Sequence, residues 1–209
     1  MKNLLLLCVL LLSTGLFAQS GYEKAMAAGL QQIKDAKTSN EMSSASAYFE
    51  RIANSEKTNW LPYYYAALTN NLAGWMDETA DKDKVSAKTN ELIAQADALS
   101  KDNSEIYCLK QMSAVMAMSV DPMARWQTYG MEASSALDKA KKLDPTNPRP
   151  YMLEAQTTFY TPEQFGGGKA VAKPIFEKSV RMFEAFKPAS DLSPTWGLDQ
   201  AQEGLTNCQ

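Results

Sequence analysis

Apolar residues recur along this chain at spacings of four and three, and the pattern itself recurs every 44 residues. Ala45, Phe49, Ile52 and Ser55 share one helical stripe. Thr89, Ile93, Ala96 and Leu99 repeat it 44 residues on, and Ala133, Leu137, Ala140 and Leu143 repeat it again. At 3.6 residues per turn such spacing keeps side chains on one face of a helix. Downstream of each stripe the same interval separates Asn59, Asn103 and Asn147, then Tyr63, Tyr107 and Tyr151, then Ala67, Gln111 and Ala155. A period of this size marks one structural unit stacked on copies of itself, each covering its neighbour's apolar face.

The pattern predicts nine helices, over 21–37, 40–55, 61–76, 82–99, 104–118, 129–143, 148–160, 171–186 and 194–206. No stretch alternates apolar and polar residues for long enough to make a strand. Asn59, Asn103 and Asn147 each precede a helix, where the side-chain oxygen can accept a free backbone N–H. Pro62 and Pro148 fall in first turns, where a missing N–H does little harm. Two segments leave the register. Residues 120–130 lengthen a turn inside the second full repeat, and 161–168 form a loop before the penultimate helix. The last helix, with Trp196, is expected to cap the open end of the array.

These residues resemble the tetratricopeptide repeat. Ala133, Leu137, Ala140 and Pro145 match the small, large, alanine and proline positions of that family's second helix. Tyr63 with Ala67 and Tyr151 with Ala155 match its first helix, while Tyr107 with Gln111 matches by half. The resemblance implies an all-α, right-handed helical-repeat solenoid of about four helix pairs plus a C-terminal cap. The period of 44 departs from the usual of about 34 and also falls in the range of HEAT and armadillo repeats. The Ala/Leu/Ala/Pro set favours the tetratricopeptide reading. The segment Asn59 to Ala67, the loop from Thr161 to Gly168 and Phe186-Lys187-Pro188 with Trp196-Gly197 look like a group of exported repeat proteins from Bacteroidetes-type bacteria.

The N-terminus changes the picture of location. A cationic start at Lys2, an apolar run from Leu4 to Leu12 and a small-residue stretch ending at Ala18 read as a secretory signal peptide over residues 1–18. That run is far shorter than the roughly 20 residues needed to span a bilayer. The expectation is a helical-repeat domain over residues 19–209, periplasmic or secreted, with no transmembrane segment. The formal net charge of −3 provides no basic face for nucleic acid or anionic lipid. Of the cysteines beyond the signal, Cys108 falls mid-helix and Cys208 is next to last. They are expected to be a core thiol and a frayed terminal thiol rather than a bridge.

Candidate chemistry is sparse. The chain has no histidine, which removes the commonest general base and metal ligand, and with them His-dependent triads and zinc sites of usual spacing. Gly166-Gly167-Gly168-Lys169 lacks the glycine and the Ser or Thr that a phosphate loop needs. Asp77 to Asp83 lacks the glycine and glutamate of a calcium loop, so it reads as a capping turn. No cofactor, metal or catalytic residue is expected.

The aromatic cluster Trp60, Tyr63, Tyr64, Tyr65 and Trp75 remains. Register places Tyr63 in the core. The resemblance implies a concave face lined by Leu61, Tyr64, Leu68 and Asn71, then Cys108, Met112 and Val115, then Met152, Gln156 and Phe159. That face would bind a hydrophobic or extended partner segment, or it would be filled by the chain's own N- or C-terminal helix. The expected function is a non-catalytic protein–protein interaction scaffold of the periplasm or cell envelope. The alternative is a small-ligand or glycan binder that stacks its ligand on Trp60, Tyr64, Tyr65 or Trp75.

Overall fold

The structure, a computed structural model, describes residues 21–209; the signal-peptide segment lies outside the described residues. These residues are helical with no strand among them. Helix α1 spans 21–35. It is followed by α2 (Ser39–Glu56), α3 (Trp60–Met76), α4 (Lys82–Leu99), α5 (Ser104–Ser119), the short α6 (Pro122–Arg125), α7 (Met131–Leu143), α8 (Arg149–Tyr160), α9 (Lys169–Ala185) and α10 (Leu198–Asn207). No described helix is long and apolar enough to cross a membrane.

The helices begin where the sequence places their caps. Asn59, Asn103 and Asn147 accept the N–H two residues on, at 3.0, 2.9 and 3.0 Å. Thr38 and Glu41 form a reciprocal capping box at α2. Asp81 accepts the Lys84 N–H at 3.1 Å, so the acidic turn from Asp77 to Asp83 serves as a cap. At the other end of α3, Lys82 donates to the carbonyls of Gly74 and Asp77, satisfying groups a helix end leaves free.

Each long helix packs against its neighbour in the chain, and α3, α5 and α8 also touch in alternation. The first three stripe positions of each copy are buried apart from the half-buried Ile52, and the fourth (Ser55, Leu99, Leu143) reaches solvent. Ala45, Phe49, Thr89, Ile93, Ala96, Ala133, Leu137 and Ala140 are all buried. Their small members let helices approach closely and their large ones fill the space between. Gly29 of α1 lies against the ring of Phe49, which is itself stacked on Tyr65 at 5.1 Å.

The departures from register have their own structure. Residues 120–130 form α6 and a π-turn, Trp126–Gly130, held to α4 by the Arg125–Asp83 pair and to α5 by Arg125 donating to the Ala117 carbonyl at 3.0 Å. The glycine loop turns through a 3-10 segment, Glu163–Phe165, with Gly166 and Gly168 at φ of 85° and 94°. Gly167 approaches the Thr158 and Thr161 carbonyls too closely for any side chain. These glycines serve backbone geometry. The last helix begins at Leu198 rather than at residue 194, because residues 187–197 run as an irregular tail over α3 and α8. Cys108 and Cys208 are free, as expected. Cys208 is not frayed but buried beside Ala172 and Phe176.

Candidate functional site

Five of the residues expected to line an open concave face are covered. Tyr64, Leu68, Asn71 and Met152 are each at most 2% exposed, as is Cys108. Leu61, Met112, Val115, Gln156 and Phe159 are half-buried. The covering comes from the chain itself. The Trp196 indole N–H donates to the Tyr64 hydroxyl at 2.7 Å, and Tyr65 donates to the Leu192 carbonyl at 2.8 Å. Ala201 of α10 closes over Cys108, Met152 and Leu153, and Leu205 joins Phe159 and Phe176. The C-terminal segment therefore covers much of the surface these residues form. Tyr63, assigned to the core by register, is only half-buried, while its neighbour Tyr64 is wholly buried. Tail contact with Tyr64 reverses the two roles.

Beneath the tail lies a buried polar network that the pattern of apolar residues did not reveal. Arg149 is fully buried and pairs with Glu105 at 2.9 Å; the Glu105 side chain is 13% exposed. Glu105 also accepts from Asn147 at 2.8 Å and Tyr64 at 2.9 Å. Arg149 donates to the Pro194 carbonyl and lies over the rings of Phe186, Trp196 and Phe183 at 4.9, 5.4 and 5.8 Å. Burial raises the Glu105 carboxyl above the ordinary carboxylate range, and Arg149 pulls it back down. Burial, with Glu105 adding to it, holds the Tyr64 hydroxyl well above its usual value. Separating a buried pair of this kind would leave an uncompensated charge with little access to water. Here the pair ties α5, α8 and the tail together.

Two cavities open beside this framework. The first, about 890 Å³, is a slot between α4 and α7 with α5 as its floor. Ser113, Ala114 and Ala117 form the floor, Tyr129 and Met131 stand at the rim, and Asp83, Asp97 and Glu132 outnumber Lys110. Lys110 is paired with Asp97 at 3.2 Å. The adjoining turn leaves Met123, Trp126 and Met131 exposed at 76%, 54% and 67%.

The second cavity, about 750 Å³, lies where the N-terminal ends of α3, α5 and α8 meet the C-terminal end of α9 and the tail. Trp60, Tyr151 and Phe186 give it aromatic walls, and Met182, Pro145 and Pro194 add apolar surface. Both volumes lie in the range of small-molecule sites. Only the second combines three rings with lysines, Lys178 and Lys187, as its cationic lining. Of the expected stacking platform, Trp60 lies at this cavity. Tyr64 and Tyr65 are buried, and Trp75 is at the opposite end of α3, roughly 22 Å away by helical rise, under the Lys82 ammonium at 5.5 Å. In the sequence Tyr151 is one more repeat position, with nothing local to mark it as a cavity wall. Phe186 and Lys187 stand out there only within a family-like segment.

No family model matches the chain, and no curated protein matches it. Among solved structures, it is similar to the HusA haemophore from Porphyromonas gingivalis, at 36% sequence identity and a TM-score of 0.81. The match covers 90% of this chain and 92% of that one.

Proposed function

This chain belongs to the family of the HusA haemophore, and we propose that it is an exported, non-catalytic haem-binding protein whose cargo seats in the cavity walled by Trp60, Tyr151 and Phe186. Family membership carries the reading, and the cavity supports it. A flat tetrapyrrole needs apolar walls on its faces, and three rings with Met182 supply them. With no histidine in the chain, binding does not use an imidazole. Tyr151 and Met182 are of residue types that ligate haem iron elsewhere, so either fits the cargo's metal as well as its ring. The signal-like segment at residues 1–18 supports export, to the periplasm or beyond.

The test is titration of residues 19–209 with hemin, followed by tryptophan fluorescence and by the Soret band. Saturable binding near one equivalent is expected, with Trp60 quenched. Tyr151→Ala and Met182→Glu should each weaken it by about tenfold, roughly 1.4 kcal/mol, the first through lost ring contact and the second through a new carboxylate facing an anionic ligand. Absence of saturable binding, or wild-type affinity in both variants, refutes the reading.

We read the alternating contacts of α3, α5 and α8, with the 44-residue register, as support for a right-handed tetratricopeptide-like solenoid. An experimental structure with left-handed stacking contradicts it. A protein partner is a second reading, favoured by the exposed Met123, Trp126 and Met131, an apolar and adaptable surface. Trp126→Glu should then abolish in-cell crosslinks to a dominant envelope protein, and crosslinks unchanged by it count against the reading.

A further inference from the structure

We infer that Lys178 and Lys187 form a carboxylate clamp that makes the second cavity selective for a ligand with an apolar body and a dianionic edge, a reading that rests on the cavity being the cargo site. Four charged side chains line the cavity: Glu105, Asp144, Lys178 and Lys187. Glu105 is neutralised within the protein, while Asp144 is hydrogen-bonded but keeps its charge and is outnumbered two to one by the lysines. Glu105 is held by Arg149, Asn147 and Tyr64, and Asp144 accepts the N–H and hydroxyl of Thr146 at 2.9 and 2.6 Å. Neither lysine has an ion pair or hydrogen bond among the described residues. The Lys178 ammonium rests over the Tyr151 ring at 4.0 Å, a modest cation–π contact that a carboxylate can share.

Other structural duties account for Lys178 poorly. A cation past the end of α9 suits the helix dipole, which explains Lys187. Lys178 lies two turns earlier, beyond that influence. The acidic slot between α4 and α7 shows the contrast, because its one lysine is already bound to Asp97. At the second cavity the positive surplus faces open space beside three rings. Ring contacts take the ligand's body without regard to its charge, and the lysines then choose among bodies of the same shape.

The test compares protoporphyrin IX with its dimethyl ester, which has the same ring and no carboxylate charge. Binding is measured by fluorescence quenching on wild type, Lys178→Gln, Lys187→Gln and the double variant, with urea unfolding as a check on the fold. Lys178 and Lys187 are both exposed, and wild type should bind the diacid about tenfold more tightly than the ester, near the upper end of what two exposed ion pairs allow. The double variant should bind both alike, at the wild-type affinity for the ester. Raised salt should weaken the diacid in wild type and leave the double variant unaffected. Equal wild-type affinities for diacid and ester, or a preference that survives in the double variant, overturns the clamp. A double variant that weakens both ligands equally overturns it as well, since that marks a structural role. Wild-type protein that binds neither porphyrin refutes the cargo site itself and removes the clamp with it.

Discussion

Arg149→Met tests the buried network most sharply. The substitution keeps an apolar stem of similar length but removes the guanidinium that pairs with Glu105 at 2.9 Å, holds the Pro194 carbonyl and lies under three rings. Glu105 is then left as a carboxylate with little access to water. Breaking a buried pair by removing one partner costs about 3–5 kcal/mol. For a domain of this size each kcal/mol corresponds to about 2–4 °C, so the melting midpoint should fall by roughly 6–20 °C at pH 7. The sign of the pH dependence is fixed too. Burial already raises the Glu105 carboxyl in the folded protein, and without Arg149 it rises further. A group raised by folding contributes stability below its unfolded value and loses it as pH climbs through its folded value. The variant should therefore regain stability between pH 7 and pH 5, more than wild type does. Urea unfolding at the two pH values measures this, with constant m-values as the control for two-state behaviour. Arg149→Met with Glu105→Gln should be more stable at pH 7 than Arg149→Met alone. A loss under 1 kcal/mol with no pH response refutes the network as a determinant of the fold.

Other outcomes follow from single contacts. Gly29→Ala should destabilise by about 1–3 kcal/mol although alanine favours helices, because its methyl would meet the Phe49 ring at 2.6 Å and that ring is pinned on Tyr65; a gain in urea midpoint contradicts the packing. Cys108 and Cys208 should resist a thiol reagent in the native state and both react in urea; fast native labelling of Cys208 shows that α10 is not docked as described. Burial, with Glu56 adding to it, pushes the Tyr22 hydroxyl up to about 12, and Tyr64 and Tyr65 are raised also. Stability should hold up to about pH 10 and fall as pH rises through 12, read as a urea midpoint that declines only at the alkaline end. A decline already complete by pH 9 counts against buried tyrosines.

The helices were legible because their causes are local. Period, caps and breakers lie within a few residues of one another, and predicted ends fall within a turn of those observed except at residues 120–130 and at the last helix. There, tertiary contacts decide. Arg125 reaching Asp83 and the Ala117 carbonyl builds a π-turn where the sequence offers only a long turn. The tail stays irregular because Tyr65 and Arg149 from distant helices take its Leu192 and Pro194 carbonyls. The site was less legible for a related reason. Leu61, Glu105 and Arg149 are spaced by the same 44 residues, yet they differ in chemistry. A search for repeated residue types keeps the first and passes over the ion pair between the other two. Tyr151, Lys178 and Phe186 line one cavity although each is ordinary in its own helix. The haemophore relationship rests on 36% identity over 90% of the chain.

The central claim is that haem-type cargo occupies the cavity bounded by Trp60, Tyr151, Met182 and Phe186. Chemical-shift mapping of isotope-labelled protein with diamagnetic gallium protoporphyrin addresses it directly. The account predicts the largest shifts at the Trp60 indole, the Tyr151 ring and the Met182 methyl, with Tyr107, Tyr129 and Met131 undisturbed. Shifts centred on Tyr129 and Met131 would place the cargo in the slot between α4 and α7 and contradict the assignment.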